Sequence, residues 1–244
     1  MAHRGGQGEY PAAPENSAEA FQHALDAGIE MLELDVRRSR DGGLIVFHDE
    51  VVSIDGKRRK IGSLTLAELR RVMPWLLEFR EYLEQFGSLV PFNLDLKGPG
   101  YEPQVAAELR RFELGSTVLV SSGYIRSLRR MAELVPAATI GLSRGHLASG
   151  IPWRLPRDML TGWERLTMPL LILASAPLAR ANAVMLQHSV ITRTAVRLLN
   201  HFGYQVFAWT VDDPAEARRL ASCGVAGIAS NHPRLIAEAI GETR

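Results

Sequence analysis

The stretch Ile29-Glu30-Met31-Leu32-Glu33-Leu34-Asp35-Val36-Arg37 decides how this chain folds. Its residues alternate with a period of two, so Met31, Glu33 and Asp35 point one way and Leu32, Leu34 and Val36 the other. A half-buried strand alternates in the same way, but its polar face usually carries side chains at ease in water. Here that face holds two carboxylates about 7 Å apart along the strand. Like charges at that range disfavour each other unless a cation or a proton offsets them. From this strand alone a solvated face and a charged site are equally good readings, and the rest of the chain has to separate them.

Next comes Arg38-Ser39-Arg40-Asp41-Gly42-Gly43-Leu44-Ile45-Val46-Phe47-His48-Asp49. Asp41-Gly42 is a hairpin signal, because a type I′ turn needs positive φ at both central positions. A link this short cannot be a parallel crossover, so residues 44–47 run back antiparallel. With Asp41 and Gly42 as the turn pair, Arg38 faces Ile45 and Asp35 faces His48, unless a bulge shifts the register by one. An imidazole then stands across from the second carboxylate, with Cβ atoms about 5 Å apart.

Further on, Phe92-Asn93-Leu94-Asp95-Leu96-Lys97 repeats the split: Asn93, Asp95 and Lys97 share the polar face. Strand patterns occur at 1–4, 29–36, 91–97, 117–121, 138–143, 183–187, 205–210 and 225–230, nearly all separated by helical patterns. One of these helices starts near Asn16 as N-cap with Glu19 three residues on, and another spans 65–86 with a break at Pro74. This order predicts a (β/α)8 TIM barrel, with a β-hairpin after the second strand and a short insertion at about 49–90 before the third. Residues 1–244 then form one catalytic domain. A doubly wound open sheet is the alternative. The polar inner faces favour the barrel, whose functional side chains gather at the carboxyl ends of its strands. His3, Glu33, Asp35, Asp95, Lys97 and Trp209 all lie at such ends.

With 28 basic and 27 acidic side chains the net charge is +1, which points away from nucleic acid. The single cysteine, Cys223, leaves no internal disulfide framework and fits a reducing compartment; with no apolar leader behind His3 and Arg4, a cytoplasmic protein is expected. The longest apolar run, at 169–179, is too short and too interrupted by proline to span a bilayer. Oligomeric state is not legible.

Three carboxylates at one mouth, Glu33, Asp35 and Asp95, make a hard oxygen site suited to Mg²⁺ or Ca²⁺. His3 and His48 beside it can exchange protons near neutral pH, and Arg4 and Lys97 add fixed positive charge. Metal, cations and an acid–base pair together meet the needs of phosphodiester cleavage. Trp209 is expected at the barrel mouth against the substrate, with core packing as its plainer role.

The segments Ala2-His3-Arg4-Gly5, Pro14-Glu15-Asn16-Ser17, Glu33-Leu34-Asp35-Val36, Val46-Phe47-His48-Asp49, Asn93-Leu94-Asp95-Leu96-Lys97 and Trp209-Thr210-Val211 resemble the glycerophosphodiester phosphodiesterase family. The likeness runs from His3 to about Pro233. It implies a (β/α)8 barrel that uses a divalent cation to hydrolyse glycerophosphodiesters to glycerol 3-phosphate and an alcohol. It further implies His3 and His48 as the acid–base pair, Glu33 and Asp35 as metal ligands, and Arg4 and Lys97 as phosphate contacts. Asp95 departs from the family's usual glutamate by one methylene. Ser17 replaces a threonine, and the 49–90 insertion lacks an Arg-Thr-Thr run that often follows the His-Asp.

Other readings stay open: a lysophospholipase D acting on single-chain lipids, a toxin-like sphingomyelinase D barrel, and a barrel that binds phosphorylated ligands without turnover. The cysteine count and the missing leader weigh against the second of these. His23, His146, His188, His201 and His232 read as structural. Arg37, Arg38, Arg40 and the run Lys57-Arg58-Arg59-Lys60 read first as solvated loop charge, and second as an attractor of anionic lipid or phosphate. Trp153, Trp163 and the 169–179 run read as a packed loop and helix, with peripheral membrane contact as the sharper idea.

Overall fold

The structure, a computed structural model, describes residues 1–145 and 154–241, with side chains in the second span from Asp158 onward. His146 and Trp153 therefore lie outside the described residues.

The stretch quoted above forms β1 (Leu32–Arg38), which turns back into the short antiparallel β2 (Leu44–Val46). A second hairpin, β3 (Val51–Ile54) and β4 (Lys57–Lys60), precedes α2 (Leu66–Val72) and α3 (Phe79–Phe86). From there strands and helices alternate: β5 (Phe92–Leu96), α4 (Glu102–Arg111), β6 (Val118–Ser122), α5 (Ile125–Leu134), β7 (Thr139–Arg144) and α6 (Arg154–Ala179). The chain continues through β8 (Ala183–Gln187), α7 (Arg193–His201), β9 (Gln205–Trp209), α8 (Pro214–Cys223), β10 (Gly227–Ile228) and α9 (Pro233–Gly241). An early helix, α1 (Ala18–Asp26), comes before β1.

Strands β1 and β5 to β10 pair in parallel in sequence order. The barrel closes through Ala2, which bridges Leu32 on one side and Ser230 on the other, both in parallel. The first stave is thus a single bridge residue, shorter than the strand expected at 1–4, and a 3-10 turn at His3–Gly5 follows at once. The last stave is also shorter than expected at 225–230.

Alternation along each stave builds two layers. Leu32, Leu34, Val36, Phe92, Leu94, Leu96, Val118 and Val120 face outward into the main core beneath the helices. Fully burying each of these stabilises the fold by roughly 1.5–3 kcal/mol. A one-residue slip of β1 would surrender Leu32, Leu34 and Val36 and turn two carboxylates into the apolar layer. The inner layer is a separate plug of Leu119, Ala183, Met185 and Phe207, with Met1, Met31 and Trp209 packed on it. Gly141 keeps that plug closed, because a Cβ there would meet Leu119 Cδ2 at 3.0 Å.

Two local expectations are corrected. The β1–β2 hairpin pairs Arg38 with Leu44 and Val36 with Val46, one residue away from the predicted register. The loop has three residues, not two: Ser39 donates its N–H to Gly43 O at 2.9 Å, and only Gly42 takes the left-handed conformation, at φ 92°. This is a type I turn closed by a left-handed residue, which adds one residue to the loop. Phe47 N–H therefore donates to Asp35 O, and His48 stands one residue past the position across from Asp35. The second correction concerns α1. Ser17, not Asn16, caps it, accepting from Ala20 N–H at 3.1 Å, while Asn16 turns its side chain into the barrel.

The polar run 50–63 is itself a hairpin, turning at Asp55 (φ 50°) and Gly56 (φ 72°) with Lys57 to Lys60 exposed. Ile45, Ile61, Leu64, Leu69, Met73 and Leu76 form a satellite core that seats this insertion on the barrel. Residues 65–86 break into α2 and α3 around Pro74, and Thr65 with Glu68 forms a capping box on the first. The 154–179 segment is one helix despite Pro169 and Pro177. Its inner face, Met168, Ile172, Ala176 and Ala179, joins the main core.

Candidate active site

The mouth of the barrel is built from the polar faces of two adjacent staves. Asp35 pairs with Asp95 and Glu33 with Asn93 across β1 and β5, so the four side chains share one patch of the inner wall. Glu33, Asp35 and Asp95 each present a carboxylate oxygen within 4.8 Å of the others. Glu33 and Asp35 are buried.

Cations from two directions hold this cluster. Lys97 Nζ lies 2.5 Å from Asp95 Oδ2 and 2.9 Å from Asp35 Oδ1. Arg4 Nε lies 3.2 Å from Asp35 Oδ2, and its Nη1 donates to both oxygens of Glu15. The Arg4 backbone N–H, turned inward by a left-handed φ of 51°, donates to Glu33 Oε2 at 2.9 Å. That conformation is costly for a residue with a side chain, and here it aims a donor at a buried carboxylate. Asn16, also left-handed, donates Nδ2 to Asp35 Oδ2 at 3.0 Å.

Electrostatics divides the three acids. Burial and the neighbouring Asp35 push Glu33 well above the usual carboxylate range. Burial also raises Asp95, against the pull of Lys97. Burial acts on Asp35 in the same sense, but Lys97 and Arg4 outweigh it and hold that carboxyl low. Lys97 in turn is kept protonated by Asp95, Asp35 and Glu33 in spite of its burial. The cluster thus holds more negative charge than its own cations neutralise, so Glu33 and Asp95 tend toward protonation.

The two histidines enter from different elements. His3 follows the closing bridge, with Nδ1 2.8 Å from Asn231 Oδ1 and Nε2 4.0 Å from Glu33 Oε2. The amide of Asn231 is itself oriented, because its Nδ2 donates to Asp212 Oδ2 at 2.9 Å. Its oxygen must then face His3, which makes His3 Nδ1 the donor and leaves a lone pair on Nε2. Burial, with Arg4 nearby, lowers the His3 imidazole to about 4. His48 lies past the end of β2, partly exposed, with Nδ1 2.7 Å from Asp49 Oδ1. Its carbonyl accepts from Arg37 Nε at 2.7 Å. Both imidazoles are close enough to Asp35 to influence its charge or respond to it.

Trp209 stands at the carboxyl end of β9 and packs on the inner plug, so its body is core. Its indole Nε1 is buried without a hydrogen-bond partner, as are Asn93 Oδ1 and Asp35 Oδ1. Asp35 Oδ1 nevertheless has the Lys97 ammonium beside it as an ion pair at 2.9 Å. Asn93 Oδ1 on β5 and Trp209 Nε1 on β9 are thus buried polar atoms that a ligand at the mouth can satisfy.

A family model for the glycerophosphoryl diester phosphodiesterase family matches residues 3–235. The chain belongs to that family. Within it, a glycerophosphodiester phosphodiesterase of Bacillus altitudinis is 28% identical over 253 residues, covering 96% of this chain and 94% of the relative. The solved structure of an Oleispira antarctica phosphodiesterase in complex with the product sn-glycerol-3-phosphate superposes with a TM-score of 0.74 at 25% identity, covering 98% and 95% of the two chains. A glycerophosphodiester phosphodiesterase of Thermotoga maritima, at 22% identity and a TM-score of 0.72 over 98% and 96% of the two chains, shares the fold.

Asn16, Glu15 and Asn231 bond to candidate site residues, and Asp212 to Asn231, but the sequence assigns none of them a place in the site. Asn16 was legible only as a cap. Asn231 meets His3 across 228 residues of chain, a contact that only barrel closure creates. Of the other histidines, His23 stacks on Tyr10, His188 bonds Glu216 and His201 packs edge-on against Phe202. Among the described residues no helix is long and apolar enough to cross a membrane.

Proposed function

We propose that this barrel is a divalent-cation-dependent glycerophosphodiester phosphodiesterase, releasing glycerol 3-phosphate and an alcohol. The observation that carries the proposal is the meeting of Glu33, Asp35 and Asp95 within 4.8 Å at the mouth of a chain of this family. Their oxygens suit a hard cation, and the unpartnered Asn93 Oδ1 and the raised Glu33 and Asp95 fit a group that supplies positive charge. When bound, Mg²⁺ or Ca²⁺ would supply charge stabilisation to the phosphoryl oxygens.

Everything else falls to the chain. Lys97 and Arg4 offset charge building on the non-bridging oxygens, with Trp209 Nε1 as a further donor. His3, neutral with an open Nε2, takes a proton from the attacking water. His48, held by Asp49, gives a proton to the departing alkoxide as the phosphorus–oxygen bond to it breaks. The whole chain serves as one catalytic domain in this reading.

Hydrolysis of lysophospholipids is the second reading. One observation favours it: Met159, Trp163, Leu166 and Leu170 stand exposed along one face of α6. A panel of glycerophosphodiesters and lysolipids, followed by release of glycerol 3-phosphate or the free alcohol with and without chelator, tests both. Turnover of soluble diesters supports the first, and turnover confined to lysolipids the second. No turnover at any cation level would leave a phosphoryl-binding barrel.

A further inference from the structure

A cleft of about 590 Å³ opens beside Lys97, between the end of β1 and the end of β4 in the inserted hairpin. Lys97 lines both this cleft and the carboxylate cluster, so the cleft adjoins the cluster and offers room for one arm of a phosphodiester held there.

The charged wall of the cleft is Arg37, Arg38, Lys60 and Lys97 against a single carboxylate, Glu50. Glu50 is already taken by Lys60 at 2.9 Å. Among the described residues, neither Arg37 nor Arg38 makes a close ion pair with a carboxylate, although Glu50 feels the charge of Arg37 and Glu102 that of Arg38. Each is fixed instead by neutral carbonyls. Arg37 donates to His48 O, and Arg38 donates to Gly100 O at 2.9 Å while lying 5.9 Å over the Tyr101 ring. Such bonds orient a guanidinium without neutralising it, which leaves planar donors ready for a two-oxygen acceptor.

Resting on the phosphodiesterase reading, we infer that the arm held in this cleft carries a negative charge of its own. The substrate class is a glycerophosphodiester whose second alcohol bears a phosphate or carboxylate. A quaternary ammonium arm is disfavoured, since it needs acidic groups or an aromatic cage. Here it would meet Tyr101, whose ring already lies under Arg38, the half-exposed Tyr124, one pre-paired glutamate and an excess of cations.

The test compares kcat/KM at low salt and fixed Mg²⁺ for glycerophosphocholine, glycerophosphoglycerol and bis(glycerophospho)glycerol, whose arms are cationic, neutral and anionic. The anionic arm should lead the neutral one roughly tenfold, a lead that shrinks as salt screens the cleft. Arg38→Ala and Lys60→Ala should each cut the anionic-to-neutral ratio by about fivefold. That ratio is unaffected by any loss of folded enzyme. A cationic or neutral arm turned over as well as the anionic one, or ratios unmoved in both variants, would overturn the inference while leaving the hydrolase standing. No turnover of any of the three in Mg²⁺ or in Ca²⁺ would instead remove the glycerophosphodiester reading and this inference with it.

Discussion

Asn231 Oδ1 lies 2.8 Å from His3 Nδ1, joining the last turn of the barrel to its first. Asp212 fixes the amide from behind through Asn231 Nδ2, so the proton on His3 is assigned to Nδ1 and the open nitrogen faces Glu33. The chain of contacts sets a tautomer as well as a position.

Asn231→Ala is therefore expected to lower kcat by about tenfold or more while KM and cation affinity stay near wild type, since positioning partners typically contribute 10- to 100-fold. Asn231→Asp, which can still accept from His3, should recover part of kcat when combined with Asp212→Asn. Steady-state kinetics on the three variants checks this. An Asn231→Ala enzyme with unchanged kcat would remove the positioning role.

Lys97 is the main counter-charge to two buried carboxylates and the half-buried Asp95. Lys97→Met should destabilise the cation-free protein by roughly 3 kcal/mol, because it strands buried charge. Added Mg²⁺ or Ca²⁺ should narrow that gap, and cation affinity should not fall, since a competing positive charge has gone. Thermal melts in chelator and in cation, for both proteins, provide the measurement. A variant melting like wild type in chelator would contradict the electrostatic account.

Asp95→Glu lengthens the third carboxylate by one methylene. The longer side chain should keep or tighten cation binding, read by calorimetric titration. Complete loss of binding would mean the position has little tolerance for reach, contrary to the hard-ion geometry proposed.

How much of this was legible beforehand depends on range. Alternation in 29–36 and 92–97 placed Glu33, Asp35, Asp95 and Lys97 on inner faces, because a strand's side-chain period is fixed by its backbone. The hairpin register was misread because Asp-Gly serves both two- and three-residue loops, and only the conformation of Asp41 separates them. Asn16 was misread because asparagine caps helices as readily as it accepts a left-handed φ, and Ser17 next door was free to cap. The continuity of α6 through Pro169 was hidden because burial of Met168 and Ile172 outweighs a local helix breaker. The partnership of His3 and Asn231 has no local signal at all.

Two predictions lie away from the reaction. Glu216 is held at about 2 by its hydrogen bond from Arg219, with His188 also bonded to it. A carboxyl depressed on folding stabilises the native state above its unfolded value near 4.5, and that contribution fades as pH falls from there toward 2. Glu216→Gln should remove roughly 1–2 kcal/mol of this pH-dependent stability, allowing for solvent screening. Equal acid melting curves for variant and wild type would refute the linkage.

Tyr82 is fully buried with its hydroxyl unpaired. Tyr82→Phe should be neutral or should stabilise by about 1 kcal/mol, because an unmet buried hydroxyl costs on that order. Chemical denaturation gives the value, and a loss above that size would show that the hydroxyl has a partner.

The most direct test of the central claim is calorimetric titration of Mg²⁺ and Ca²⁺ into the wild type and Asp35→Asn, with glycerol 3-phosphate release followed on the same samples. The account predicts one divalent site in the wild type, lost together with activity in Asp35→Asn and silenced by chelator. Undiminished turnover by Asp35→Asn, or an active wild type that binds no divalent ion, would contradict it.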